Sequence, residues 1–537
     1  MRRGCLYFFT ARKIILTIII LLICNNTSAL AKQRITIMLI PMQSPSTMYK
    51  NFLPLKRYLE DTLNVTIVIK VARKTSDIIQ HLKKGEADIA YLCPTLYCVA
   101  YKQMPIVPLV KLRVNGRSEY RSVLLVRNDS PIKKTADLFD RTFVYGRYYC
   151  PGSGLLPKIM LQRVDISDND FLDVVKLGSD ESAIIAVMAR MFDATGVPEM
   201  AAKSYLDKGL RVLSYSYSIP QYLFVARASL GKDFIQRLKT TMLSINTLTN
   251  RKEILGSIEA GADGFAKAED SDYDIVRVLM KNVLKENYIV PPKQKRIKFV
   301  VEPVSFEPDV FKQLNPLMTY LSRMTGISFQ LVIPGNIETF IQILKTGKGD
   351  FFLQSYHLYS EFARAANVKE IASLSAVDHP EDMGIIITHS EGNIRTLQGL
   401  SNKKIGIISL HSDGSYLAQR ELLKEKGIPL NPKQFVKLKT YEDIIMQVYR
   451  GSIDAGFVNY SSLRSMQQDI DMSRIVILAK TPPLPDRIIA ARKDMDTRSV
   501  NKVAEFLVQF SHGQNSEEPG NFKIKALKNR KTGENFQ

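Results

Sequence analysis

The 537-residue sequence predicts an α/β protein in which one architecture is built twice in tandem. Two observations carry that expectation. Short apolar runs alternate with amphipathic helical segments, the pattern of α/β layers with mainly parallel strands. The chain also matches itself, since "RITIMLIPMQSPSTMYKNFLPLKRYLE" from Arg34 aligns with "RIKFVVEPVSFEPDVFKQLNPLMTYLS" from Arg296.

The register of the repeat is 262 residues, counted from Arg34 to Arg296. It pairs Pro41 with Pro303, Lys50 with Lys312, Pro54-Leu55 with Pro316-Leu317, and Tyr58-Leu59 with Tyr320-Leu321. "LKKGEADIAYLCPTLY" then pairs with "LKTGKGDFFLQSYHLY", and Gly152-Ser153 fall on Gly414-Ser415. Further on, Asp193 of "FDATG" pairs with Asp454 of "IDAGF". Within each copy the elements follow in order. "ITIMLI" reads as a strand, "YKNFLPLKRYLEDTL" as an amphipathic helix and "VTIVIKV" as a second strand. "TSDIIQHLKKG" reads as a helix with a Thr/Ser start and a Gly stop, and "ADIAYL" as a third strand. Ligands of such sheets sit beyond the carboxyl ends of the strands.

Before the first copy, Arg2, Arg3, Arg12 and Lys13 precede the apolar run Ile14 to Ile23, and "SALA" ends at Ala31. A basic segment, a short apolar core and an Ala-x-Ala site predict a signal peptide over 1–31, cleaved after Ala31. Ten apolar residues are too few to span a bilayer comfortably. The formal charge of +21 suits nucleic acid, an anionic membrane or anionic small ligands, and export removes nucleic acid from that set. Cys93, Cys98 and Cys150 survive cleavage. An odd number leaves at least one thiol outside any intramolecular pair, although Cys93 and Cys98 are close enough in sequence to join.

The order of "FLPLKRYLE", "GEADIAYLCPTLY", "EYRSVLLVRNDSPIKKTADL", "PGSGLLP", "FDATG", "YSIPQYLFVAR" and "DSDYDIVRVL" resembles the phosphate/phosphite/phosphonate-binding family of periplasmic ABC-transporter substrate-binding proteins. That resemblance implies the type II periplasmic binding fold in tandem: two bilobal modules, each of two α/β lobes and a hinge. The first module would span 32–290 with an inserted lobe at about 120–217, followed by a linker at 291–295. The second would span 296–510 with an inserted lobe at about 381–480, and 511–537 would form a polar tail.

In that family a Ser/Thr-rich turn at a helix N-terminus holds the anion, because helix-end N–H groups lack internal partners and face the positive dipole end. The resemblance places Gly152, Ser153 and Gly154 of "YYCPGSGLLPKI" in this turn, with Pro151 and Gly152 where hydroxyls are expected. An ordinary βα turn is the competing reading. Tyr120 matches the tyrosine that lines the family's cleft, and a buried structural tyrosine is its alternative. Asp180 and Tyr441 stand where the family has a histidine on the phosphonate, and a carboxylate there repels an anion unless protonated or paired. Tyr222 and Arg487 replace the acid that meets the ligand's amino group, so aminoalkyl phosphonates are not implied. In the second module Ser412 and Ser415 hold hydroxyl positions around Asp413, while Asp382 or Met383 stands at the Tyr120 position.

His357, His379 and His411 map near the second cleft with Asp413, but their spacing matches no metal motif, and no metal or cofactor is expected. Cys93 and Cys150 map to turns of opposite lobes. Asp88, Asp193, Asp350 and Asp454 recur between copies, as do Tyr97 and Tyr359, which points to structural work. No Gly-x-Ser-x-Gly elbow, His-Glu-x-x-His or P-loop occurs, so the chain is not read as an enzyme. The sequence thus predicts a periplasmic solute-binding protein that closes on a small oxyanion, phosphonate- or phosphate-like, for an inner-membrane ABC permease. The alternatives are a module serving a membrane sensor or scaffold, with clefts that no longer bind solute, and an enzyme borrowing the fold through its cysteines.

Overall fold

The computed structural model describes residues 32–147, 150–288, 296–376, 382–511 and 522–526. The expected signal peptide, the 291–295 linker, His379 and most of the 511–537 tail lie outside the described residues. The chain divides into two units, Met1–Ser118 with Gln221–Asp270, and Glu119–Pro220 with Ser271–Gln537.

The first unit holds a six-stranded sheet in the order Ala262–Lys267, Ile106–Val114, Leu223–Arg227, Ile89–Leu92, Arg34–Leu39, Thr66–Val71. Its first helix, Pro45–Leu63, begins a turn earlier than the apolar pattern predicts. Ser44 Oγ accepts the Thr47 N–H at 3.3 Å and Pro45 needs no donor, so the chain can turn into a helix before the first apolar residue. Met48, Phe52, Leu55 and Leu59 form one stripe, buried against Ile37, Leu39, Tyr91 and Phe224 of the sheet. Gly85, at φ +74°, supplies the left-handed residue after the helix Asp77–Lys83.

The second unit repeats that sheet in the same order: Phe522–Ala526, Val368–Ala376, Arg487–Arg492, Phe351–Gln354, Ile297–Val301, Phe329–Val332. Its edge strand Phe522–Ala526 comes from residues the sequence reading left in a polar tail. Two five-stranded sheets share a second common order. One runs Leu210–Tyr215, Ser122–Arg127, Ala194–Pro198, Thr142–Tyr145, Asp173–Lys176; the other runs Ile475–Pro483, Met383–His389, Ala455–Asn459, Ile405–Ile407, Phe435–Lys437. The duplication is therefore present in topology as well as sequence. Its register is 262 from Pro45–Leu63 to Glu307–Thr325, and drops to 261 by the helices Asp180–Met188 and Tyr441–Tyr449.

The sheets are mixed, which corrects the expectation of mainly parallel strands. Arg34–Leu39 pairs in parallel with both neighbours, but Leu223–Arg227 runs antiparallel to Ile89–Leu92 and to Ile106–Val114. The strand that returns after the 119–220 insertion re-enters in the opposite direction, and the alternation of elements carries no trace of that reversal.

The four repeated aspartates share one job. Asp88, Asp193, Asp350 and Asp454 each accept the backbone N–H at the start of, or just before, a neighbouring strand, from Thr36, Thr142, Lys298 and Lys404 at 2.8–3.0 Å. Within the second unit the 119–220 segment and the second module share one apolar core, in which Met160, Leu161 and Val164 meet Ile444, Ile445 and Val448. Arg163 sits at that seam, paired with Asp309 at 3.0 Å and with Asp469. Arg450 closes it by donating to the carbonyls of Val164 and Asp165 at 2.8 and 2.7 Å.

Candidate functional site

The small-residue stretch after Thr142–Tyr145 forms a single π-helical turn, Pro151–Leu155, that runs directly into the helix Leu156–Arg163. Close packing dictates its composition. A Cβ on Gly152 would lie 2.7 Å from Pro198 Cγ and 3.3 Å from Tyr120 Cε2, so only glycine fits. Ser122 Oγ donates to the Gly152 carbonyl at 2.5 Å. The N–H groups of Ser153 and Gly154 both point at the Cys150 carbonyl, at 3.2 and 2.9 Å.

The turn's hydroxyl is directed at Asp180. Ser153 Oγ donates to Asp180 Oδ1 at 2.6 Å, and the Arg147 N–H reaches the same oxygen at 2.9 Å. Arg147 Nε and Nη2 hold Oδ2 at 2.9 and 2.6 Å. Asp180 is 5% exposed, while the Arg147 side chain keeps 36% of its surface in solvent. The condition attached to this carboxylate, that it be protonated or paired, is met by pairing. The Ser153 hydroxyl and the Arg147 N–H and guanidinium converge on one negative charge, as they would on an oxyanion. The turn's own N–H groups of Ser153 and Gly154 are taken up by the Cys150 carbonyl.

Tyr120, Gly152, Ser153, Gly154 and Asp180 are thus brought together, with Arg147 as the residue the sequence reading missed. "YGRYY" places an arginine just past the neighbouring strand, but nothing local ties it to Asp180, 33 residues on. Tyr222 belongs to the other unit, where its ring packs on Tyr91 with centroids 5.7 Å apart. Cys93 and Cys150 precede the helix Pro94–Gln103 and the π-turn, and among the described residues no disulfide forms.

The second module has the same π-turn, Asp413–Leu417, with different furniture. Asp413 takes the position of Pro151, and its Oδ2 accepts the His357 N–H at 3.2 Å from the facing helix Tyr356–Phe362. Burial raises the Asp413 pKa. Ser415 is turned into the lobe, donating to Phe457 O at 2.8 Å and accepting the Ile408 N–H at 2.9 Å. Ser412 is buried and bonds the side chain of Tyr441, whose pKa burial pushes up. On the facing lobe Glu302, at the position of Ile40, is 2% exposed and accepts the Ser355 N–H at 2.6 Å. Burial raises its pKa too, and Arg487 Nη2 stands 4.0 Å away. This side of the second module thus holds two buried carboxyl groups, Glu302 and Asp413, with Arg487 beside the first.

The family model described as "ABC transporter, phosphonate, periplasmic substrate-binding protein" matches residues 37–273 and again 299–524. Among solved structures, the chain is similar to PhnD1 of Prochlorococcus marinus (MIT 9301) in complex with methylphosphonate, at 20% identity over 47% of this chain and 99% of that one, TM-score 0.42. It is also similar to XAC2383 of Xanthomonas citri bound to ATP, at 17% identity over 47% and 98%, TM-score 0.42. The periplasmic domain of B. pertussis BvgS matches at 14% identity over 88% of each chain, TM-score 0.28.

Proposed function

This chain belongs, twice over, to the periplasmic substrate-binding family of phosphonate ABC transporters, and from that premise we propose that its first module captures a small oxyanionic solute by closing on it and delivers it to an inner-membrane ABC permease. The observation that carries the reading is the partly exposed Arg147 guanidinium, which shares the Asp180 carboxylate with the Ser153 hydroxyl of the π-turn. A planar guanidinium and a helix start both favour oxyanions. The signal peptide over 1–31 directs the chain to the periplasm, and among the described residues no helix is long and apolar enough to cross a membrane.

Native mass spectrometry of the protein purified from an exporting host tests this, followed by titration with methylphosphonate, phosphate, phosphite and an alkyl sulfonate. The expected result is a chain beginning at Lys32 that binds one equivalent of one of these anions, with affinity kept in Asp413→Ala and lost in Ser153→Ala. No bound mass and no thermal shift with any of the four anions overturns the reading.

One observation favours a second reading for the other module, as a sensing or scaffolding element that takes no anion. Asp413 places the chain's own carboxylate inside the turn and bonds it across to His357, which supports a cleft already filled.

A further inference from the structure

His357, Glu361 and His411 lie around one point in the second module, with their ligating atoms all within 4.8 Å of one another. His357 Nε2 is 3.1 Å from Glu361 Oε2, and His411 Nδ1 is 3.0 Å from that same oxygen. His357 and Glu361 are one turn apart on the helix Tyr356–Phe362, while His411 stands on the loop before the π-turn of the facing lobe. Ligands of a tetrahedral zinc ion, at 2.0–2.2 Å from the metal, stand about 3.3 Å from each other. The two distances to Glu361 are close to that spacing, and the two imidazole nitrogens stand within 4.8 Å of each other, near enough to converge on one ion.

We propose that His357, Glu361 and His411 form a binding site for a divalent transition metal of the zinc class, which clamps the second module closed. Two imidazoles and one carboxylate are the ligand set of an open zinc site, with a fourth position left for water or an exogenous ligand. Each imidazole would ligate through the nitrogen that faces Glu361, with its ring proton on the other nitrogen.

Three further features support the assignment. The site joins the two lobes, so bound metal adds a coordinate link beside the Asp413 to His357 bond, and an ion that binds only the closed arrangement stabilises it by mass action. A further carboxylate adjoins the site, since Asp413 Oδ2 accepts the His357 N–H at 3.2 Å. Finally, the set is peculiar to this copy. At the 262-residue register its counterparts are Thr95, Val99 and Tyr149, none of them a ligand of this class, so the cluster arose after duplication or was lost from only one copy. The inference is independent of the solute reading, which concerns the first module. Sequence spacing does not reveal it, because His411 lies 50 residues from Glu361 and is brought to it by the fold.

The test is calorimetric titration of the full mature chain with Zn(II) after chelator treatment, repeated with Co(II) to read the visible absorption of a low-coordinate site. One equivalent is expected, with at least a tenfold loss of affinity in both His411→Ala and Glu361→Gln, and retention in His411→Cys. Zn(II) should also raise the unfolding temperature of the wild type and of His411→Cys but not of His411→Ala. All three side chains are partly exposed, and unchanged unfolding of the metal-free variants reports that they fold. Absence of micromolar Zn(II) binding, or binding that both His411→Ala and Glu361→Gln leave intact, overturns the proposal.

Discussion

The two π-turns make a controlled comparison, because one backbone carries two different fillings. In the first module, Ser153 and Arg147 converge on Asp180, a carboxylate from the same lobe, and part of the guanidinium stays in solvent. In the second module, Ser412 meets Tyr441, Ser415 is turned inward, and the carboxylate of Asp413 reaches the facing lobe. The backbone turn is thus the inherited part, and the charge it presents is set by three or four side chains. A fold shared between copies does not carry a ligand class with it.

Two effects of similar size should be the largest, and the first comes from separating the first pair. Arg147→Ala leaves Asp180 buried without its guanidinium, and because the arginine is partly solvated the expected cost is about 2–3 kcal/mol. The counterpart Tyr441→Phe removes only one neutral hydrogen bond, worth about 1 kcal/mol. Hydrogen exchange of peptides covering 142–163 and 405–425 reads each effect in its own module, and equal losses would erase the contrast.

The next concerns a buried carboxyl at the lobe contact of the second module. Glu442 is buried, accepts the Phe306 N–H at 3.0 Å, and has its pKa pushed up from 4.5 to about 7, first by burial and then by Asp309. The folded protein therefore holds this proton more tightly than the unfolded chain does. The stabilising contribution is present in acid and is lost as pH rises from about 4.5 through about 7, by about 3 kcal/mol at most. Urea unfolding of Glu442→Gln across pH 4.5 to 8 should show a flatter profile than wild type. An unchanged slope would mean that the carboxyl is already ionised in the folded state.

Smaller effects sharpen the comparison of the turns. Gly152→Ala drives a methyl into the Pro198 ring, which cannot rotate away, and should cost about 2 kcal/mol. Gly414→Ala meets the far end of Tyr441 at 2.6 Å and should cost less, because that side chain can tilt. Thermal unfolding of the pair checks the order. Smallest of all, Asp413→Ala should cost about 1 kcal/mol, and small-angle scattering should show a wider second module.

Much of the architecture was legible because duplication wrote it twice. A short strand such as "ITIMLI" is ambiguous alone, but its recurrence in register with the helix after it fixes both. Strand direction was not legible, because Leu223–Arg227 has the same apolar character whichever way it runs. The strand Phe522–Ala526 was missed because it lies beyond the last matched motif, in a stretch of polar composition. Of the candidate site, the turn residues came from the motif order that carries the family resemblance, since their spacing fits an ordinary βα turn equally well. Arg147 and Glu361 could not, since each acquires its role from a partner 33 or 50 residues away.

The seam at Arg163 has a consequence for assembly. It joins unlike surfaces, the end of the Leu156–Arg163 helix in one copy and the Tyr441–Tyr449 helix in the next, and head-to-tail contacts of this kind propagate unless something stops them. At the 262-residue register, Gln162, Arg163 and Val164 become Lys424, Glu425 and Lys426, all exposed. The second copy therefore presents reversed and added charge where the first presents its docking arginine and a buried valine. On the first copy Ile185 remains 50% exposed, whereas its counterpart Met446 is 1% exposed within the seam. The docking surface is thus written into the helix end of the first copy, and the corresponding residues of the second do not repeat it.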